Sequence, residues 1–197
     1  MLGVAIALLA SVKVVVGVKN AQELSRRIES ISVQVKSDVL DLPEAVHTYR
    51  TCELSKKTAK VYKDLADDLY SEIEQGEITV DNAMVKILRL QQLTGGYLKT
   101  DDGQLVQYGQ EKKELLAELL EEFPENEPLI IFARFTADIE NIQEACDKLK
   151  RSHGELSGNK NDLKKFQDGE VDTLVCQVQS GSVGIDLTRA AYCIYYS

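Results

Sequence analysis

The densest run of small and hydroxyl-bearing residues in the sequence is Gln179-Ser180-Gly181-Ser182-Val183-Gly184-Ile185-Asp186-Leu187-Thr188. Small residues let a backbone approach another molecule closely. Successive N–H groups in such a turn form a nest suited to a phosphate. Ser180, Ser182 and Thr188 add hydroxyl donors, and the Asp186 carboxylate is an acceptor suited to a ribose. An ordinary strand-to-helix connection has the same composition, and Asp186 would then cap the following turn. Arg134, after an apolar run, reads on its own as a partner for a neighbouring acid. No G-x-x-x-x-G-K-S/T occurs anywhere, so the glycine run lacks the lysine of a complete phosphate loop.

Other chemistries are poorly supplied. Four cysteines stand at 52, 146, 176 and 193 without a CxxC pair, and the only histidines are His47 and His153. A structural zinc site needs closely spaced ligand pairs, so none is expected. Cys146, Cys176 and Cys193 fall in apolar surroundings and read as small core residues. A reducing, cytoplasmic compartment fits them best. His153 reads as a loop residue.

The net charge of −9 excludes a basic footprint over the whole chain. The acidity is local: Glu111 to Glu127 holds seven Glu against two Lys, whereas residues 128–197 carry only −2. A nucleic-acid surface on the last third is therefore compatible with the total. The length of 197 residues suits one domain or one and a half. The apolar opening before Lys13 is shorter than the ~20 residues of a membrane span. It also lacks the basic start of a secretory leader. It reads as a buried segment, and no membrane association is expected.

These groups need a scaffold, and the periodicity supplies one. Asn20 and Glu23 form a capping-box pattern ahead of a short helix through Ser30. Ile31, Val33 and Val35 alternate as in a strand, Asp41-Leu42-Pro43 breaks the pattern, and residues 45–54 read as extended. Ser55 can cap a helix carrying Tyr62, Leu65, Ala66, Leu69, Tyr70 and Ile73, ended by Gly76. Asp81 can cap another that turns Met84, Ile87 and Leu88 inward and stops at Thr94-Gly95-Gly96. Asp101-Asp102-Gly103 reads as a turn. From there the chain alternates: a helix with Leu115, Leu116, Leu119, Leu120 and Phe123 on one face; a buried strand at Leu129–Ala133; a helix from Thr136 to Arg151. A short strand at Glu155–Ser157 and a small helix with Leu163 and Phe166 follow, then strands at Thr173–Val178 and Ala191–Tyr196. Tyr192, Tyr195 and Tyr196 read as buried strand residues, Lys164 and Lys165 as a solvated helix face. This βαβαβ rhythm predicts an α/β fold with a parallel sheet and flanking helices, whose ligands gather at the carboxyl ends of the strands.

The ordered set of segments resembles the second RecA-like lobe of superfamily-2 helicases of the Swi/Snf type, with a phage and prophage flavour. Leu129-Ile130-Ile131-Phe132-Ala133-Arg134-Phe135 is similar to motif IV. Gly154-Glu155-Leu156-Ser157-Gly158 resembles the "L-x-G" turn, and Phe166 with Asp168-Gly169 the "F-x-x-G" step. Gln177 to Leu187 resembles motif V: Gly181, Gly184, Ile185 and Leu187 match, Ser182 replaces a second glycine, and Asp186 takes the Asn/Asp place. Upstream, Val39-Leu40-Asp41-Leu42-Pro43 and the helix from Leu88 to Gly96 resemble the segment between the two lobes. The likeness runs over about residues 18–197.

The resemblance implies a RecA-like sheet preceded by a mainly helical inter-lobe segment. It divides the chain into residues 1–105, that segment with a remnant of the first lobe, and residues 106–197, the second lobe cut before motif VI. It implies nucleotide contacts at Gly184 and Asp186. It implies contacts to the backbone of double-stranded DNA at Arg134, Thr136, Ser157, Gly158, Gln179, Ser180 and Gly181, with Lys160, Lys164 and Lys165 adding charge nearby. ATP and Mg would bind only with the first RecA-like lobe, which carries the phosphate loop and the D-E-x-H/D box, so the chain alone is expected to be inactive. Two other readings stay open on the residues themselves: a non-catalytic interaction module derived from such a lobe, and a nucleotide-binding domain of another activity, such as a transferase.

Overall fold

The computed structural model describes residues 3–9, 12–29, 31–32, 45–75, 79–100, 102–180 and 184–197, with backbone alone for 3–18. The expected strand from Val33, the break at Asp41–Pro43, the helix end at Gly76, Asp101 and Gly181–Val183 lie outside them. The chain divides into two compact units, residues 1–48 and 49–197.

In the first unit, strands β1 (Gly3–Leu9) and β2 (Val12–Lys19) form an antiparallel pair with a register shift between Ala5 and Ile6. Helix α1 (Ala21–Glu29) follows, as the Asn20/Glu23 pattern predicts, with an Arg27–Glu23 pair one turn apart on its surface.

The second unit begins with residues 49–55 in no regular element; neither they nor residues 45–48 form a strand, and Val46 is exposed. Ser55 then caps α2 (Lys56–Gln75): its hydroxyl accepts from the Thr58 N–H at 3.3 Å. Helix α3 (Val80–Thr94) is capped by Thr79, whose hydroxyl accepts from the Asn82 N–H, while Asp81 lies in the first turn. α2 and α3 pack on each other. Their apolar stripes are wider than that contact. Leu69 and Leu93 are buried, but Tyr70, Ile73, Met84 and Ile87 are exposed rather than turned inward. At Gly96, with φ +91°, α3 turns into the hairpin of β3 (Tyr97–Lys99) and β4 (Leu105–Gln107). A β-carbon at Gly96 would lie 2.2 Å from the Gly109 carbonyl, so only glycine fits this crossing.

Helix α4 (Glu111–Glu121) leads into a four-stranded sheet of β5 (Leu129–Ala133), β6 (His153–Leu156), β7 (Thr173–Gln177) and β8 (Tyr192–Tyr195). The order is β6-β7-β5-β8 and every pairing is parallel. Helix α5 (Thr136–Lys148) crosses from β5 to β6, and α6 (Leu163–Gln167) from β6 to β7.

The pleat of β5 divides the core. Leu129, Ile131 and Ala133 face α4 and α5 with Leu116, Leu120, Ile139, Ile142 and Cys146; Ile130 faces Leu156, Phe166, Leu174 and Cys176 on the other side. A strand covered on both faces reads as a continuous apolar run, which is why β5 and β7 were visible in the sequence. β8 lies at the end of the strand order, and there the expectations fail. Tyr196 is buried at 5%, but Tyr195 is 76% and Tyr192 49% exposed, and Cys193 is exposed rather than a core thiol. Tyr195 stacks on Phe132 with ring centroids 5.3 Å apart. His153 opens β6 and is no loop residue; its ring lies 3.0 Å from an Asp147 oxygen.

Candidate functional site

A parallel sheet brings all its carboxyl ends to one edge. Arg134 follows β5, Ser157 follows β6, Val178 follows β7 and Ser197 closes the segment after β8. A cavity of about 470 Å³ opens there, lined by Gln91, Thr94, Lys112, Arg134, Phe135, Val178, Gln179 and Ser197. Among the described residues its lining holds two cations, amides and hydroxyls, and no acidic side chain, in a chain of net charge −9.

Each cation is held differently. The Arg134 guanidinium donates to the Gln91 side-chain oxygen at 3.1 Å and lies 5.7 Å from the Phe135 ring centroid, while its backbone N–H donates to the Ser197 hydroxyl at 2.8 Å. It pairs with no acid; the neighbour the sequence left open is an amide from α3. Its other donors stay available on an exposed side chain. Lys112 sits in the first turn of α4 with its Nζ 4.8 Å from the Tyr196 ring centroid. Burial lowers its pKa, against an opposing pull from Asp138.

Asp138 lies behind the cavity, on the first turn of α5 and 1% exposed. Neither of its oxygens has a hydrogen-bond partner, nor do the Tyr97 and Tyr196 hydroxyls. Burial raises the Asp138 carboxyl above its ordinary 3.8; the nearby Ser197 and Tyr97 hydroxyls and the Lys112 charge oppose this without overcoming it. Those hydroxyls stand close without reaching hydrogen-bonding geometry. Burial likewise raises the phenols of Tyr97 and Tyr196.

The end of the glycine run, from Gly184, lies as an elbow on the surface. Ile185 and Leu187 pack against the core, while Gly184 before them and Asp186 between them are exposed. Gly184 has φ +76°, and a β-carbon there would meet nothing within 4 Å. Asp186 Oδ1 accepts from the Thr188 N–H at 3.0 Å and its hydroxyl at 2.7 Å, and these bonds hold the carboxyl below its ordinary 3.8. The turn-capping role of Asp186 is thus filled, and its second oxygen faces solvent. Arg189, just beyond, is spent on the fold: it donates to the Phe166 and Val171 carbonyls and pairs with Asp172 at 2.8 Å.

Of the expected site residues, Arg134 and Gln179 share the cavity. Thr136, Gly158 and Ser180 lie on the same carboxyl edge, as does Ser157, whose hydroxyl is engaged with Glu155 and the Asn159 N–H. Gly181 lies outside the described residues. Lys160, Lys164 and Lys165 pair with Asp162 and Asp168 on an exposed surface, as a solvated face would. Sequence reasoning missed Gln91, Thr94, Lys112, Phe135 and Ser197. These come from four distant segments; Gln91, Thr94 and Phe135 fall inside stretches that resemble the family, but nothing in the sequence marks them, Lys112 or Ser197 as lining one cavity. Among the described residues no cluster of ligands suits a metal ion, and no helix is long and apolar enough to cross a membrane.

The parallel sheet with helices on both faces has a RecA-like fold. Residues 111–197 match the family model of the helicase conserved C-terminal domain. The chain is 26% identical over 170 residues to YwqA of Bacillus subtilis strain 168, named as a candidate ATP-dependent helicase/translocase; the match covers 80% of this chain and 18% of that protein. It is 23% identical over 152 residues to protein p41 of Acyrthosiphon pisum secondary endosymbiont phage 1, covering 77% of this chain and 32% of that one. The chain therefore spans about a fifth and a third of the lengths of these relatives. In fold it is similar to the Sulfolobus solfataricus SWI2/SNF2 ATPase core solved in complex with dsDNA. There the TM-score is 0.57 at 22% identity, over 89% of this chain and 41% of that one. It is also similar to the C-terminal part of the Fun30 ATPase domain, at TM-score 0.55 and 14% identity, over 75% of this chain and 73% of that one.

Proposed function

We propose that this chain is the carboxyl-side part of an ATP-dependent DNA helicase or translocase of the Swi/Snf type, with phage or prophage kinship, working in the cytoplasm. Residues 106–197 serve as the second RecA-like lobe and residues 1–105 as the inter-lobe segment with part of the first lobe. The observation that carries this reading is the acid-free cavity at the carboxyl edge, where Arg134 of the motif IV strand meets Gln179 of the motif V segment.

A guanidinium matches a phosphate bidentately, and Gln91 holds that of Arg134 in place. Thr136, Ser157, Gly158, Ser180 and Gly181 continue the same edge as backbone-contacting positions. Such contacts position a duplex without reading its sequence. Gly184 and Asp186 lie farther along the same segment and face the nucleotide, so a shift at one end of the elbow moves the phosphate grip at the other. The residues that cradle ATP phosphates and bind Mg in such motors are not among these 197, so turnover is expected only of a protein that supplies them.

The test is duplex binding by the full gene product as salt is varied. Binding indifferent to sequence and falling steeply with salt is expected, with a slope shallower by about 1 in Arg134→Ala. Sequence-specific binding, or an Arg134→Ala slope equal to wild type, overturns the reading. A second reading, a protein-interaction module, draws on the exposed Tyr70, Ile73, Met84 and Ile87 of α2 and α3. It predicts DNA binding that Arg134→Ala leaves unchanged.

A further inference from the structure

We propose that Lys112 is a second contact to the DNA backbone phosphate in the carboxyl-edge cavity, a residue outside the helicase motifs that acts beside Arg134. The inference rests on the DNA reading above and adds to it a group from α4. Lys112 and Arg134 are the two cations of the cavity lining. The neighbouring lysine shows what an engaged side chain looks like here: Lys113 forms an ion pair with Glu144 on α5. Lys112 has no such partner. Among the described residues no carboxylate lies within ion-pair distance of it, and its ammonium rests over the Tyr196 ring.

A half-buried ammonium without a counter-ion is costly unless a ligand supplies the charge. Asp138 attracts the Lys112 charge from inside the fold, but it is 1% exposed and outside the cavity lining, so the cavity face of the lysine meets no acidic side chain. The aromatic face keeps the charged head near Tyr196 without neutralising it. The cavity thus offers a polyanionic backbone one fork-shaped donor, from the end of β5, and one point charge, from α4. A phosphodiester chain and the phosphates of a nucleotide share this chemistry. The shared lining with Arg134 and Gln179, both expected DNA contacts, favours the phosphodiester.

The experiment uses the full gene product with Lys112→Met, which keeps the stem over Tyr196 and removes the charge, and Lys112→Arg, which restores it. Duplex affinity is measured against salt, alongside Arg134→Ala. Lys112→Met is expected to weaken binding several-fold at low salt and make the log–log salt slope shallower by about 0.9. Lys112→Arg is expected to recover both. If Lys112→Met binds like wild type while Arg134→Ala does not, the inference fails and the DNA reading stands. If neither variant changes the slope, the DNA reading fails as well. A changed KM for ATP with unchanged duplex affinity, or equal losses in Lys112→Met and Lys112→Arg with a lowered Tm, also overturns the proposal.

Discussion

Arg151 and Arg134 stand at opposite ends of the same sheet and are held in opposite ways. Arg151, just ahead of β6, is 5% exposed; it donates to the Thr173 hydroxyl at 3.0 Å, to the Pro124 carbonyl at 2.9 Å and to the Glu127 carbonyl. It ties the loop before β5 to the starts of β6 and β7. Arg134, just after β5, makes one side-chain hydrogen bond, to Gln91, and keeps the rest of its fork at the surface. The contrast extends to their surroundings. At the amino end the Arg151 side chain itself is fully engaged, although the nearby His153 Nδ1 is buried without a partner among the described residues. At the carboxyl end Asp138, Tyr97 and Tyr196 carry buried polar atoms with no hydrogen-bond partner among the described residues, and Lys112 rests over the Tyr196 ring. An arginine whose donors are consumed by its own chain holds the fold. One with donors to spare, beside unsatisfied neighbours, is placed for something else.

The largest expected effect tests the amino end. Arg151→Ala removes three hydrogen bonds and takes the donor from the buried Thr173 hydroxyl, so it should lower unfolding stability by about 3 kcal/mol. Chemical denaturation measures this. A loss comparable with that of a surface substitution, within about 0.5 kcal/mol, would erase the contrast between the two arginines.

The second effect runs in the opposite direction. Burial raises the Asp138 carboxyl in the folded chain above its ordinary 3.8. Between the unfolded and the folded value the native state binds more protons than the unfolded state, so stability falls as pH rises through that window. Above it the whole cost is present. Asp138→Asn, which has no charge to bury, should therefore unfold at a higher temperature than wild type at pH 7. The two should converge in acid below the unfolded value near 3.8. A variant less stable than wild type at neutral pH would show that the carboxylate is satisfied after all, and that the carboxyl end is as complete as the amino end.

Much of this division was legible in the sequence, and the limits have physical causes. β5, β7 and α5 were visible because residues buried on two faces, or along one stripe, leave a periodic trace. The elbow was visible because glycines and hydroxyls cluster there. The exposure of Tyr195 and Cys193 was not, since an edge strand has the same composition as a central one. Met84 and Ile87 failed for a related reason: a helical stripe tells which face is apolar, not how much of it a neighbour covers. Lys112 and Gln91 left no signal at all, because only the packing of α3 and α4 against the sheet edge brings them to Arg134.

The smallest effect concerns the elbow, the part of the carboxyl edge that packs least. Gly184 has φ +76° with open space around it, so an added methyl group meets no atom and the cost is backbone strain alone. Gly184→Ala should lower stability by about 1 kcal/mol, well short of Arg151→Ala. Because Ile185 and Leu187 keep the following residues on the core, the strain stays local. In the full gene product it should fall on ATP turnover more than on duplex affinity if, as proposed, Gly184 and Asp186 face the nucleotide and Gln179 the DNA. Steady-state ATPase and duplex-binding assays on the one variant separate the two. An equal loss in both would mean that the elbow moves as one rigid piece and that its two ends have no separate duties.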